Sequence, residues 1–181
     1  MEVLFIIIQI SNLAFKFNSL LMVTTRIQIK PHLKEYILGK YNQFLDQCVR
    51  FPDRLDIYHA IFNLTEKRPV NCPVDSGNLE IVLPHPHGSK HPETYNYLSR
   101  ESQKKIEQKI ERMFWSDLRE FIETNRYKNS AGYIESVYAF MRKYGIYSIS
   151  DDALIKHYYR WRKKVRNPGK RAYHSKKKSV L

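Results

Sequence analysis

SRESQKKIEQKIERMFWSDLREFIETN, residues 99–125, decides the fold, because its apolar residues recur with a helical period from Ile106 to Ile122, over about four to five turns. Ile106, Ile110, Met113, Phe114, Leu118, Phe121 and Ile122 stand three or four positions apart, which predicts one helix with a continuous buried stripe. Ser99 is suited to cap it, with Glu101 and Ser102 in the first turn. At about 1.5 Å per residue the helix is roughly 40 Å long. The stripe lasts too few heptads for a dimeric zipper, so the expectation is a helix that spans the protein's own core.

Two further helices are predicted downstream. Residues 131–144 place Ile134, Val137, Tyr138 and Met141 on one face and stop where Gly145 can turn left-handed. Ser150 then caps a helix that runs to Arg166, with Asp151 and Asp152 beside the positive end of its dipole. Asn167-Pro-Gly169 ends it. The closing residues 167–181, basic and ending near Lys176-Lys-Lys178, are predicted to be a disordered tail.

Upstream, residues 22–98 read as a small mixed body. Arg26–Lys30 alternates polar and apolar residues as a half-buried strand does, and Pro31 opens a helix to about Tyr41. Leu55, Tyr58, Ile61 and Phe62 fit a helical stripe, in a region broken by Pro52, Pro69 and Pro73. Asn78–Leu83 follows an Asp-Ser-Gly-Asn turn and reads as a strand ended by Pro84. Residues 1–21 are apolar, but they carry Glu2 and lack leading Lys or Arg; their run from Val3 to Ile8 is shorter than a signal core or a membrane span. They are either a first strand or a non-native extension before Met22. The fold class expected is α+β: a small mixed body, then a mainly helical module over 99–166.

Charge points to function. Every acidic residue lies at or before Asp152, whereas residues 153–181 hold eleven of the 31 Lys and Arg, which leaves the rest of a chain of net charge +13 nearly neutral. A local cationic block without interspersed carboxylates suits a polyanionic partner, most often nucleic acid. On a helical wheel the last helix divides: Leu154, Tyr158, Trp161 and Val165 share an arc for burial, and Lys156, Tyr159, Arg160 and Lys163 oppose it, flanked by Lys164 and Arg166. Long cationic donors hold phosphate oxygens and reach base edges. The interface expected is Lys156, Tyr159, Arg160 and Lys163 toward the groove, Arg162, Lys164 and Arg166 on phosphates, and Lys170 and Arg171 in the tail. The bland alternative is a solvated basic face. Single-strand stacking on Tyr159, Tyr147 or Tyr173 is a rival mode.

The segment Tyr133–Tyr144, Gly145–Ile149 and Ser150–Arg166 resembles the helix-turn-helix class of DNA-binding proteins, with a connection slightly longer than that class's tight turn. The resemblance covers about a fifth of the chain. It implies a sequence-specific, non-catalytic DNA-binding protein acting on duplex DNA, a transcription or replication regulator of the kind found in phages and mobile elements, working in the cytoplasm at the nucleoid. A structural or virion-associated nucleic-acid-binding protein is an alternative. His85-Pro-His87 resembles the His-hydrophobic-His motif of rolling-circle replication and relaxase nucleases, which implies a divalent metal and a tyrosine nucleophile such as Tyr95 or Tyr97. Pro84 and Pro86 instead favour a loop there. His157 and Arg160 are similar in spacing to the His-x-x-Arg of tyrosine recombinases, without that family's other basic motifs. No phosphate-binding glycine loop, Gly-x-Ser-x-Gly elbow or His-Glu-x-x-His occurs. Cys48 and Cys72 are too far apart for a zinc or redox pair and are expected to be buried free thiols of a reducing compartment. No cofactor, metal or membrane partner is expected.

Overall fold

The computed structural model describes residues 22–41, 48–73, 75–85 and 90–166. Three strands, β1 (Thr24–Ile27), β2 (Cys48–Val49) and β3 (Leu79–Val82), alternate with helices α1 (Pro31–Tyr41) and α2 (Asp56–Leu64). Helices α3 (Arg100–Asn129), α4 (Tyr133–Tyr144) and α5 (Asp151–Arg166) follow, so the α+β class holds. The expected extension 1–21 and tail 167–181 lie outside the described residues.

β3 is the central strand, antiparallel to β1 (Thr25 opposite Ile81, Ile27 opposite Leu79) and parallel to β2 (Val49 opposite Ile81). Leu79 and Ile81 alternate inward with Thr25 and Ile27 as the period of a strand requires. β1 starts earlier and stops sooner than Arg26–Lys30. Beyond Ile27 the ladder is replaced by one side chain: Asn78 Oδ1 accepts from the Ile29 amide at 3.1 Å and its Nδ2 donates to the Ile29 carbonyl at 2.7 Å. Gly77 permits that close approach, since a Cβ there would lie 2.4 Å from the Ile27 carbonyl carbon. Cys48 and Cys72 are free and half-buried; burial, then the nearby Glu80, pushes the Cys48 thiol up to about 11.

The 30-residue α3 is the spine. The Ser99 hydroxyl caps it by accepting from the Ser102 amide at 3.3 Å, and Ile106, Ile110, Phe114, Leu118 and Ile122 are fully buried, as their spacing predicts. It runs one turn beyond Asn125 to a left-handed Ser130 (φ 51°), with Arg126 and Lys128 favourably placed at the negative end of the dipole. α1, α2 and α4 pack on it, and the buried cluster is continuous from Ile27 to Tyr158, across the boundary expected near residue 98.

α4 is rotated from its predicted face. Ser136, Val137 and Phe140 are buried, while Ile134 and Tyr138 are 54% and 47% exposed. Tyr133, Val137, Phe140 and Tyr144 form an equally regular stripe, and the aromatic ring of Phe140 decides between the two. It sits among Tyr36, Phe114, Phe121 and Tyr144 with ring centroids 4.9–6.4 Å apart. Phe140→Ala is therefore expected to cost about 3–5 kcal/mol, and Ile134→Ala no more than about 0.5 kcal/mol, in urea unfolding. Equal losses would place the buried face wrongly.

Candidate functional site

The basic helix α5 is built on two supports. Its start is as predicted: Ser150 Oγ accepts from the Ala153 amide at 3.3 Å, and Asp151 and Asp152 fill the first turn. Leu154 and Tyr158 are buried, and the Tyr158 hydroxyl donates to Glu123 of α3. Burial, with Glu123 beside it, drives the Tyr158 pKa far up, so the phenol stays neutral. Trp161 is half-buried with the Arg119 guanidinium 5.1 Å from its ring centre. Val165, predicted for the same buried arc, is 57% exposed. Among the described residues nothing covers the last turn, Lys163–Arg166, whose residues are all exposed.

The connection from α4 is tightly made. Gly145 takes φ 63°, its amide donates to the Arg142 carbonyl and that of Ile146 to the Met141 carbonyl, the paired bonds of a Schellman stop. Ile146 is buried, and Glu35 of α1 accepts from the Tyr147 amide (2.9 Å), the Ser148 amide (3.0 Å) and the Ser148 hydroxyl (2.8 Å). Burial opposes ionisation of Glu35, but these three donors outweigh it and hold its pKa below the usual carboxylate range. Tyr138 adds a hydrogen bond to Asp151 at 2.7 Å across the two helices.

The expected interface residues divide into three sets. Lys156, Tyr159, Arg160, Lys163, Lys164 and Arg166 are exposed on α5. Among the described residues the only carboxylate paired with them is Asp152, which meets Lys156 at 2.6 Å one turn away. Arg162 is instead half-buried toward α4, its guanidinium 4.9 Å from the centre of the Tyr133 ring, over which Arg126 also lies at 4.2 Å. Lys170 and Arg171 lie outside the described residues. Of the stacking candidates, Tyr147 is 83% exposed, Tyr159 leans on Tyr133 at 5.5 Å, and Tyr173 lies outside the described residues.

Local sequence carries no signal for the junction beneath these cations. His157 stacks on Trp115 of α3 with ring centres 3.5 Å apart and planes within 17°. Burial, then the charges of Arg119 and Arg160, lower the His157 pKa, and its Nδ1 is buried without a hydrogen-bond partner. Burial here disfavours the charged imidazolium, and the ring is held by its stack on Trp115.

His85 follows β3 outside any strand, and its ring lies 4.9 Å from that of His91, both lining a cavity of about 310 Å³ with Arg50, Asp53, Tyr58 and Glu93. His87 lies outside the described residues. Tyr97 is instead paired through its backbone with Glu66, and Tyr95 lies near the ammonium groups of Lys67 and Lys90. Among the described residues no three His, Cys, Asp or Glu side chains converge as a metal shell, and no helix is long and apolar enough to cross a membrane. Comparison with protein-family models, with curated proteins and with solved structures finds no match.

Two outcomes are expected. Glu35→Gln should speed amide exchange at Tyr147 and Ser148 while leaving α3 protected; unchanged exchange would deny Glu35 its hold on the connection. For His157, the unfolded chain binds a proton near pH 6.5 and the folded protein only at lower pH. Stability should therefore fall as pH drops below about 6.5. His157→Phe should remove part of that fall in urea titrations between pH 7 and 5, with His32, also depressed first by burial, keeping the remainder.

Proposed function

We propose that this protein binds duplex DNA through α5, as a non-catalytic regulator of transcription or replication that recognises particular sequences. One observation supports this above others: α5 is anchored by Leu154 and Tyr158 on one side and, on the other, carries five exposed cations, four of them without a carboxylate partner among the described residues. Like charges held side by side repel; the phosphates of an anionic polymer offset that repulsion, and their neutralisation releases the polymer's condensed counterions. Lys156, Tyr159, Arg160 and Lys163 project where a helix in the major groove meets base edges; Lys164 and Arg166 lie at its flanks, suited to phosphates. Arg162, turned over Tyr133, steadies the helix and contributes charge at a distance. The α4–α5 pair, joined through Gly145 and clamped by Glu35, supports a helix-turn-helix mode of docking.

A second reading draws on the His85–His91 contact: a metal-dependent single-strand nuclease. Incubation with Mn²⁺ or Mg²⁺ and single-stranded DNA should give neither cleavage nor a covalent adduct if the regulator reading is right. A virion-associated role would show as tight binding without a preferred site.

Selection of sites from a random duplex library, read at two salt concentrations, is expected to yield a preferred sequence. Arg160→Ala should then cost about 1–3 kcal/mol at particular base pairs; a uniform loss over all sequences would make Arg160 a phosphate contact. Removing residues 168–181 should weaken binding to every duplex alike and flatten its salt dependence. Binding that is indifferent to salt and to both changes would refute the proposal.

A further inference from the structure

We propose that α3 carries a second surface for the same DNA, a line of Lys105, Lys109, Arg112 and Arg119 that grips the sugar-phosphate backbone beside the segment held by α5; this rests on the DNA-binding reading above. At 100° per residue the four side chains fall within an arc of about 80°, and they span about 21 Å of helix. That is the rise of roughly six base pairs.

Charge is partly sorted around α3. On the side toward the body, Glu107 accepts from the Lys30 amide at 3.0 Å, Glu111 pairs with the Lys30 ammonium at 2.8 Å, and Asp117 is held by Tyr36 and Lys40. Glu123 shares the arc of the cations but is held by Tyr158 of α5, and the exposed Glu101 and Glu120, on or beside that arc, form no ion pair among the described residues. Lys105 and Arg112 are exposed, and among the described residues Arg112 bonds the Gln108 carbonyl of its own helix, at 3.4 Å. Among the described residues Lys109 pairs with one carboxylate, at 4.0 Å, that of Asp56, whose side chain is 91% exposed. Arg54 lines an open groove of about 480 Å³ together with Lys109, Arg112, Leu55, Met113 and the acidic Asp56.

Arg119 joins this line to α5. Its Nε is buried without a hydrogen-bond partner, burial lowers its pKa, and among the described residues no carboxylate pairs with it. A partly desolvated guanidinium without an acid lacks the very partner that a phosphate supplies. It lies against Trp161, beside the Trp115–His157 stack, and Arg160 and Lys164 follow His157 by three and seven positions on the same flank of α5. The two cationic surfaces therefore meet at one helix junction.

The test uses the full chain with Lys105, Lys109 and Arg112 all changed to alanine. Affinity should fall about equally on the selected duplex and on random duplex, the slope of log K against log salt should shrink by about 2–3, and sequence preference should persist. Lys105→Arg with Lys109→Arg and Arg112→Lys should restore binding. Arg112→Glu alone, at an exposed site, should weaken both duplexes more than tenfold and serves if the triple variant does not fold. If α5 variants weaken binding while the α3 variants keep the original affinity and salt slope, the second surface is refuted and the DNA-binding reading stands. If the unaltered protein binds no duplex, both fall.

Discussion

Asp117 of α3 ties that helix to α1, about 80 residues away in the chain. The Tyr36 hydroxyl donates to it at 2.7 Å, Lys40 pairs with it, and the Lys40 ammonium lies 3.1 Å from the same hydroxyl. The Tyr36 ring is fully buried against Phe114 of α3 and Phe140 and Tyr144 of α4. Burial, with Asp117 beside it, drives the phenol's pKa far up, which keeps it a neutral donor. A buried hydroxyl must find an acceptor, and this one is met only when α1 and α3 take their observed positions, while the ring beneath it gives α4 a surface to pack on. Gly39, one turn on, allows α1 to touch the end of α4: a Cβ would stand 2.2 Å from the Tyr144 carbonyl oxygen.

From that knot the placement of α5 follows. Fixing α4 against α1 brings the Gly145 turn beneath Glu35, whose three hydrogen bonds orient the chain entering α5. α5 then lies on α3 through Tyr158, Trp161 and His157, so its basic side has only one direction to face. The mixed body thus serves as a mount for the helical module, sharing its core and supplying the residues that set the angle of the cationic helix.

Much of this was legible beforehand, and for a consistent reason. Ile106 through Ile122, the Ser99 and Ser150 caps and the Gly145 stop are local signals, set by helical period and by backbone hydrogen bonds that only certain side chains complete. Strand β3 and helix α1 were visible on the same grounds. The failures arose where two local solutions were nearly equal. α4 has two regular stripes, and only packing of Phe140 selects one; β1 loses its ladder early because Asn78, distant in sequence, takes over its hydrogen bonds.

The amino-acid sequence by itself determined the starts of α3 and α5, the end of α4, the α+β class and the concentration of cations at one end, because each depends on residues within a few turns of one another. Tertiary structure alone decided that Arg162 turns inward over Tyr133, that Val165 stays exposed, and that Arg119 reaches Trp161 beside the His157 stack. Those outcomes depend on which surface each helix meets, and a helical wheel knows the phase of a residue but not its neighbour.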